Sequence, residues 1–172
     1  IDAAKKIGIP LIFISTSVCY KPTDKVIQET DELSPTTIYG MTKLAGELLL
    51  KTWMGKNYVI VIPAMIFGAF DLHSASNKLL MSGLRLTDET VHIALDPEFI
   101  KPFMYVDNYM DGLDCIIENI DKLSGERINI APDDAKPFGD IIEYVQEEMG
   151  LQPEYELHPE KDYLGPHILS ND

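Results

Sequence analysis

Tyr39 and Lys43 stand four residues apart in the stretch S-P-T-T-I-Y-G-M-T-K-L-A-G-E-L-L-L, residues 34–50. On a helix that spacing puts both side chains on one face. A phenol beside an ammonium can give and take a proton near neutral pH. At about 5 Å and an effective dielectric of about 20, the ammonium favours a phenolate by roughly 3 kcal/mol. Spacing alone is not specific. With 8 tyrosines and 12 lysines in 172 residues, chance supplies about half a Tyr-x-x-x-Lys match. A surface Tyr and Lys on an amphipathic helix would look the same.

The composition narrows the setting. The length suits one domain, or one domain with a small second lobe. At 45% hydrophobic and 24% charged residues the chain has ordinary globular composition. No apolar run reaches the 18 or more residues of a membrane span, and the opening residues lack the apolar segment of a secretory leader. The net charge of −14 repels nucleic acid. Only two arginines, Arg85 and Arg127, are present, so a phosphate site would depend on lysines, backbone amides, helix N-termini or residues outside this chain. Cys19 and Cys115 both lie in apolar contexts and are expected as reduced core thiols, which suits the cytoplasm. The histidines are scattered without ligand spacing, so no metal site is expected.

The surrounding elements read as an α/β chain. A short helix stops at Gly8, and the apolar run 9–14 reads as a strand buried on both faces. Ser15, Thr16 and Ser17 follow at its carboxyl end, where open α/β sheets bind ligands. A polar loop, 19–35, leads to a helix over 37–54, with Met41, Leu44, Ala45 and Leu48 as its expected buried stripe. Residues 58–62 form a second buried strand ending at Pro63. Strand, loop, helix, strand fits a parallel crossover, which would bring Thr16, Tyr39 and 63–66 to one sheet edge. Further on come a helix over 78–86 and a short strand over 91–94. A helix over 106–119 is expected to be capped near Asp107, with Tyr109, Leu113, Ile116, Ile117 and Ile120 in the core. A third strand lies within 125–131, a helix over 137–149 and a short strand over 153–157.

Five blocks occur in one order: I-S-T at 14–16, Y-G-M-T-K-L-A-G-E at 39–47, P-A-M-I-F-G at 63–68, F-M-Y-V-D-N at 103–108 and N-I-A at 129–131. Together they resemble the extended short-chain dehydrogenase/reductases, the NAD-dependent epimerase/dehydratase family. The resemblance covers nearly the whole chain. It implies a partial Rossmann-like parallel sheet from 1–70, rejoined by 103–131, and a small substrate lobe from 71–102 and 132–172. It implies NAD or NADP as cofactor, a sugar or nucleotide sugar as substrate, and a homodimer formed beside the Tyr-Lys helix. Carried over by motif, Thr16 hydrogen-bonds the reacting oxygen and Tyr39 is the acid/base. Lys43 holds the nicotinamide ribose, and Pro63 to Ile66 lie against the nicotinamide. Ser17, Asn77 and Lys101 fall at substrate-facing positions.

Three departures qualify the resemblance. No G-x-G-x-x-G or G-x-x-G-x-x-G occurs, and the matching blocks start about a third of the way through the family's pattern. A non-catalytic or cofactor-incompetent fragment, used for binding or regulation, is therefore the alternative. Ser17-Val18 replace the Asp-Glu pair that dehydratases of the family use, which favours epimerase or reductase. Ile62 and Lys101-Pro102 stand where an arginine and an Arg-Asp pair are frequent; a lysine keeps the charge but not the bidentate fork.

Overall fold

The computed structural model describes residues 1–23, 25–69, 91–93, 100–149, 155–157 and 168–169. At its centre is a three-stranded parallel sheet of β1 (Leu11–Ile14), β3 (Tyr58–Pro63) and β8 (Arg127–Ile130), in the order β1-β3-β8. The register pairs Ile14 with Val61 and Pro63 with Ile130, so the carboxyl ends of the strands share one edge. β3 lies in the middle, and its residues from Tyr58 to Ile62 are all buried. That explains its unbroken Val/Ile run, since a strand covered on both faces has no polar side.

Helices cover both faces of this sheet. On one side α2 (Ile38–Met54) packs Leu50 and Met54 against Tyr58, Ile60 and Ile62, and Ala4 of α1 (Asp2–Ile7) joins them. On the other side α3 (Val106–Glu118) sets Tyr109 and Ile116 against Val59, Val61 and Ile130. Gly8 (φ 74°) ends α1 in the left-handed conformation that glycine adopts without steric cost. Gly55 (φ 64°) closes α2.

Smaller pairs surround the sheet. A 3-10 turn (Ser17–Cys19) follows β1. β2 (Val26–Ile27) pairs with β11 (Ile168–Leu169), and β4 (Met65–Phe67) with β7 (Phe103–Tyr105). β5 (Val91–Ile93) pairs with β10 (Tyr155–Leu157). β6 (Ile100–Lys101) pairs antiparallel with β9 (Lys136–Pro137), which leads into α4 (Phe138–Met149).

Several sequence expectations need correction. β1 is not buried on both faces: Leu11, Ile12 and Phe13 are half-buried and Ile14 is exposed, because among the described residues β1 pairs on one side only, with β3. Most of the expected apolar stripe of α2 points outward, with Leu44 half-buried. Met41, Ala45 and Leu48 are exposed, and the buried positions are Gly40, Glu47, Leu50 and Met54. Ile117 of α3 is exposed, and no side chain caps that helix. Cys115 is a free thiol but an exposed one, unlike the buried Cys19. The helix expected over 78–86 lies outside the described residues.

Candidate active site

The site grows from the end of β1. Leaving the strand, the chain turns through Thr16, which caps the 3-10 turn: its Oγ1 accepts the Val18 backbone N–H at 3.5 Å. Accepting that bond leaves the Thr16 hydroxyl hydrogen available to an incoming oxygen. Opposite, Thr37 starts α2 by accepting the Gly40 N–H on its side chain at 3.0 Å, an N-cap of the usual kind. This places Tyr39 in the first turn of the helix, 56% exposed.

One turn further, the Lys43 ammonium donates to the Ile14 carbonyl at 2.9 Å. The same ammonium lies 5.8 Å from the centre of the Tyr39 ring and 5.5 Å from that of Phe13. Both are within cation–π range. Lysine has three N–H donors; Ile14 uses one, and the other two have no hydrogen-bond partner among the described residues. Two positive features thus adjoin the Tyr39 phenol: the Lys43 charge and the N-terminal end of α2.

Beneath this surface runs a buried polar network. Ser15 Oγ donates to Glu47 Oε1, and Arg127 Nη2 meets the same oxygen at 3.1 Å. The Glu47 side chain is 0% exposed and that of Arg127 9%. The guanidinium carbon lies 4.2 Å from the centre of the Tyr20 ring, and the Tyr20 hydroxyl donates to Asn129 Oδ1 at 2.9 Å. Burial pushes the Tyr20 phenol up to about 12, with Arg127 opposing the shift. Burial also raises the Cys19 thiol, whose Sγ donates to the Gly40 carbonyl at 3.4 Å. Glu29 reaches in to accept the Asn129 backbone N–H at 2.9 Å.

The remaining expected site residues are placed as follows. Ser17 is half-buried in the 3-10 turn, next to Thr16. Pro63 ends β3 and Ile66 lies in β4, both half-buried. Lys101 belongs to β6, in the antiparallel pair with β9. Asn77 lies outside the described residues, as does Arg85. Arg127 is committed to Glu47 in the interior and is not available to a surface phosphate. A separate cleft of about 880 Å³ opens on the α3 face, between Phe67, Phe103, Tyr105, Cys115 and Ile128. Asp133 and Asp134 line it, and among the described residues no lysine or arginine does. Neither Tyr39 nor Lys43 lines it.

Sequence reasoning missed the network of Ser15, Glu47, Arg127 and Asn129. One signal was available. Glu47 lies four residues beyond Lys43, on the helix face that carries the pair, and Arg127 is a charge inside a strand pattern.

A parallel α/β sheet with helices on both faces belongs to the doubly wound class, in which ligands bind outside the carboxyl ends of the strands. A profile of the NAD dependent epimerase/dehydratase family matches residues 1–131. The chain belongs to that family. It is 24% identical over 144 residues to an uncharacterized UDP-glucose epimerase of Bacillus subtilis (strain 168), YtcB, a match covering 81% of this chain and 44% of YtcB. The fold resembles that of UDP-glucuronic acid 4-epimerase from Bacillus cereus, solved with UDP-glucuronic acid and NAD. There the TM-score is 0.83 at 24% identity, over 99% of this chain and 55% of the other. It also resembles dTDP-glucose 4,6-dehydratase from Bacillus anthracis in complex with NAD, with a TM-score of 0.80 at 15% identity over 99% and 56% of the two chains. The chain therefore spans about half the length of these relatives.

Proposed function

We propose that this chain supplies the proton-transfer half of an NAD(P)-dependent epimerase or reductase acting on a sugar or nucleotide sugar. The observation that carries the reading is the position of Lys43. Its ammonium is pinned to the Ile14 carbonyl at the end of β1, two residues before Thr16, and lies 5.8 Å from the Tyr39 ring. In this reading Thr16 donates its hydroxyl hydrogen to the reacting sugar oxygen, and Tyr39 takes or returns that oxygen's proton. The Lys43 ammonium, 5.8 Å from the ring centre, and the N-terminal end of α2 both favour negative charge developing on the Tyr39 oxygen.

The residues present fit a nicotinamide ribose. Lys43 has two unspent donors for its hydroxyls, and Pro63 and Ile66 give a half-buried apolar edge at the strand ends. When bound, the nicotinamide supplies hydride acceptance and return. By motif, Ser17, Asn77 and Lys101 are assigned to the substrate. Residues 71–102 and 132–172 make up the substrate lobe. Ser17-Val18 in place of an acidic pair favours epimerase or reductase over dehydratase.

The exposed stripe of Ile38, Met41, Ala45, Leu48 and Trp53 on α2 supports a homodimer formed along this helix. Cys115, an exposed free thiol, suits a reducing cytoplasm.

The sequence feature favouring the second reading, a cofactor-incompetent fragment, is the absence of a glycine-rich phosphate loop. Calorimetry of NAD and NADP against the chain addresses it. Weak binding, above about millimolar, is expected of the 172 residues alone, and a submillimolar constant contradicts that expectation. Catalysis is tested with the glycine-rich half supplied, by joining this chain to the preceding glycine-rich segment of a longer family relative. UDP-sugars are incubated with cofactor, and epimer formation by NMR separates an epimerase from a reductase, which accumulates oxidised nicotinamide.

A further inference from the structure

Tyr39, Lys43 and Glu47 follow one another at four-residue spacing on α2, but only Glu47 is fully buried. The helix and the end of β1 are tied at successive levels. Lys43 holds the Ile14 carbonyl, and Glu47 holds the hydroxyl of the next residue, Ser15. On the far side of Thr16, Cys19 donates to the Gly40 carbonyl. Thr16 is thus bracketed between two ties to the helix that carries Tyr39.

Stability gives no obvious reason for the Glu47 tie. The Glu47–Arg127 pair is buried, and Oε2 of Glu47 and Nε and Nη1 of Arg127 have no hydrogen-bond partner among the described residues. Such incompletely matched buried pairs are commonly no more stable than apolar side chains of the same size. Arg127 comes from β8, on the far side of β3 from β1. The pair therefore ties α2 and the end of β1 to a third element.

We infer that Glu47 is a positioning residue: held by Arg127, its carboxylate fixes Ser15 and so sets Thr16 and the Ile14 carbonyl against Tyr39 and Lys43. This rests on the catalytic reading above, but its first test does not need turnover. The Lys43 ammonium lies 5.5 Å and 5.8 Å from the centres of the Phe13 and Tyr39 rings, and the proton resonance of the ε-methylene bonded to it reports that placement through ring-current displacement. The resonance is assigned with Lys43→Arg. It is then followed in Ser15→Ala, which keeps the ion pair, and in the paired apolar variant Glu47→Met with Arg127→Met.

The paired variant is expected to melt at or above the temperature of the wild-type chain and yet to lose about half or more of the Lys43 displacement. Ser15→Ala is expected to lose displacement in the same direction, and it decides the matter if the paired variant fails to fold. With the glycine-rich half supplied, kcat falls about tenfold or more while KM stays within about threefold, as expected when a group is misplaced and not removed. Full Lys43 displacement in every folded variant overturns the assignment, because a purely stabilising pair would move the melting temperature and leave this resonance alone. Wild-type turnover in Tyr39→Phe would instead overturn the catalytic reading and leave the placement of Glu47 standing.

Discussion

Lys43 does two jobs with one charge. Donating to the Ile14 carbonyl fixes its long side chain, and the fixed ammonium then faces the Tyr39 ring. With the glycine-rich half supplied, removing the charge in Lys43→Met is expected to weaken both cofactor binding and turnover, measured by calorimetry and steady-state kinetics. Unchanged values of both would take Lys43 out of the site. Tyr20 behaves differently because it is buried. Its folded phenol is pushed up to about 12 from an ordinary 10.0. Between those values the unfolded chain releases a proton that the folded chain keeps, so rising pH favours unfolding. The Tyr20 contribution is complete below about pH 10 and is lost as pH climbs toward about 12. Thermal melts across that window should show a falling melting temperature, with a shallower decline in Tyr20→Phe. An equally steep decline in that variant would show that other groups, such as the burial-raised Tyr58 and Tyr109, dominate.

At the level of elements, α2 is shaped by close approach. A Cβ on Gly40 would lie 2.5 Å from the Val18 carbonyl oxygen, and one on Gly46 would lie 2.6 Å from the Phe13 ring. The Gly40 neighbour is backbone and cannot swing aside. Gly40→Ala is therefore expected to cost about 1–3 kcal/mol in denaturant unfolding, and a cost near zero would mean that the turn after β1 is free to move. This packing also explains what the sequence could and could not convey. β3 was legible because a strand covered on both faces must be apolar throughout. The span of α2, expected over 37–54, is Ile38–Met54 in the structure. Which side of α2 is buried was not legible, because periodicity locates an apolar stripe without saying what covers it. The inward side uses small and charged residues, Gly40 and Glu47, whose place depends on the distant partners Val18 and Arg127. The ordered motifs drew attention to Thr16, Tyr39 and Lys43, but a strand arginine gives no local hint that it meets a helix glutamate 80 residues away.

As a whole molecule, the chain presents an acidic surface with an apolar stripe on α2. Ile38 is 82% exposed, and Leu48 and Trp53 are each at least half exposed. Repeats of three and four residues along one face are the pattern of helix pairing. If α2 forms the dimer seam, Leu48→Lys should halve the mass seen by light scattering without unfolding the chain. A monomeric wild-type protein at the same concentration would contradict the dimer. The central claim is that Tyr39 moves the proton, and one comparison tests it most directly: turnover of a UDP-sugar with NAD or NADP, the glycine-rich half supplied, by wild-type and Tyr39→Phe protein of equal melting temperature. Turnover in the wild type with a loss of about a hundredfold or more in the variant is the predicted result; equal rates in the two proteins would contradict it.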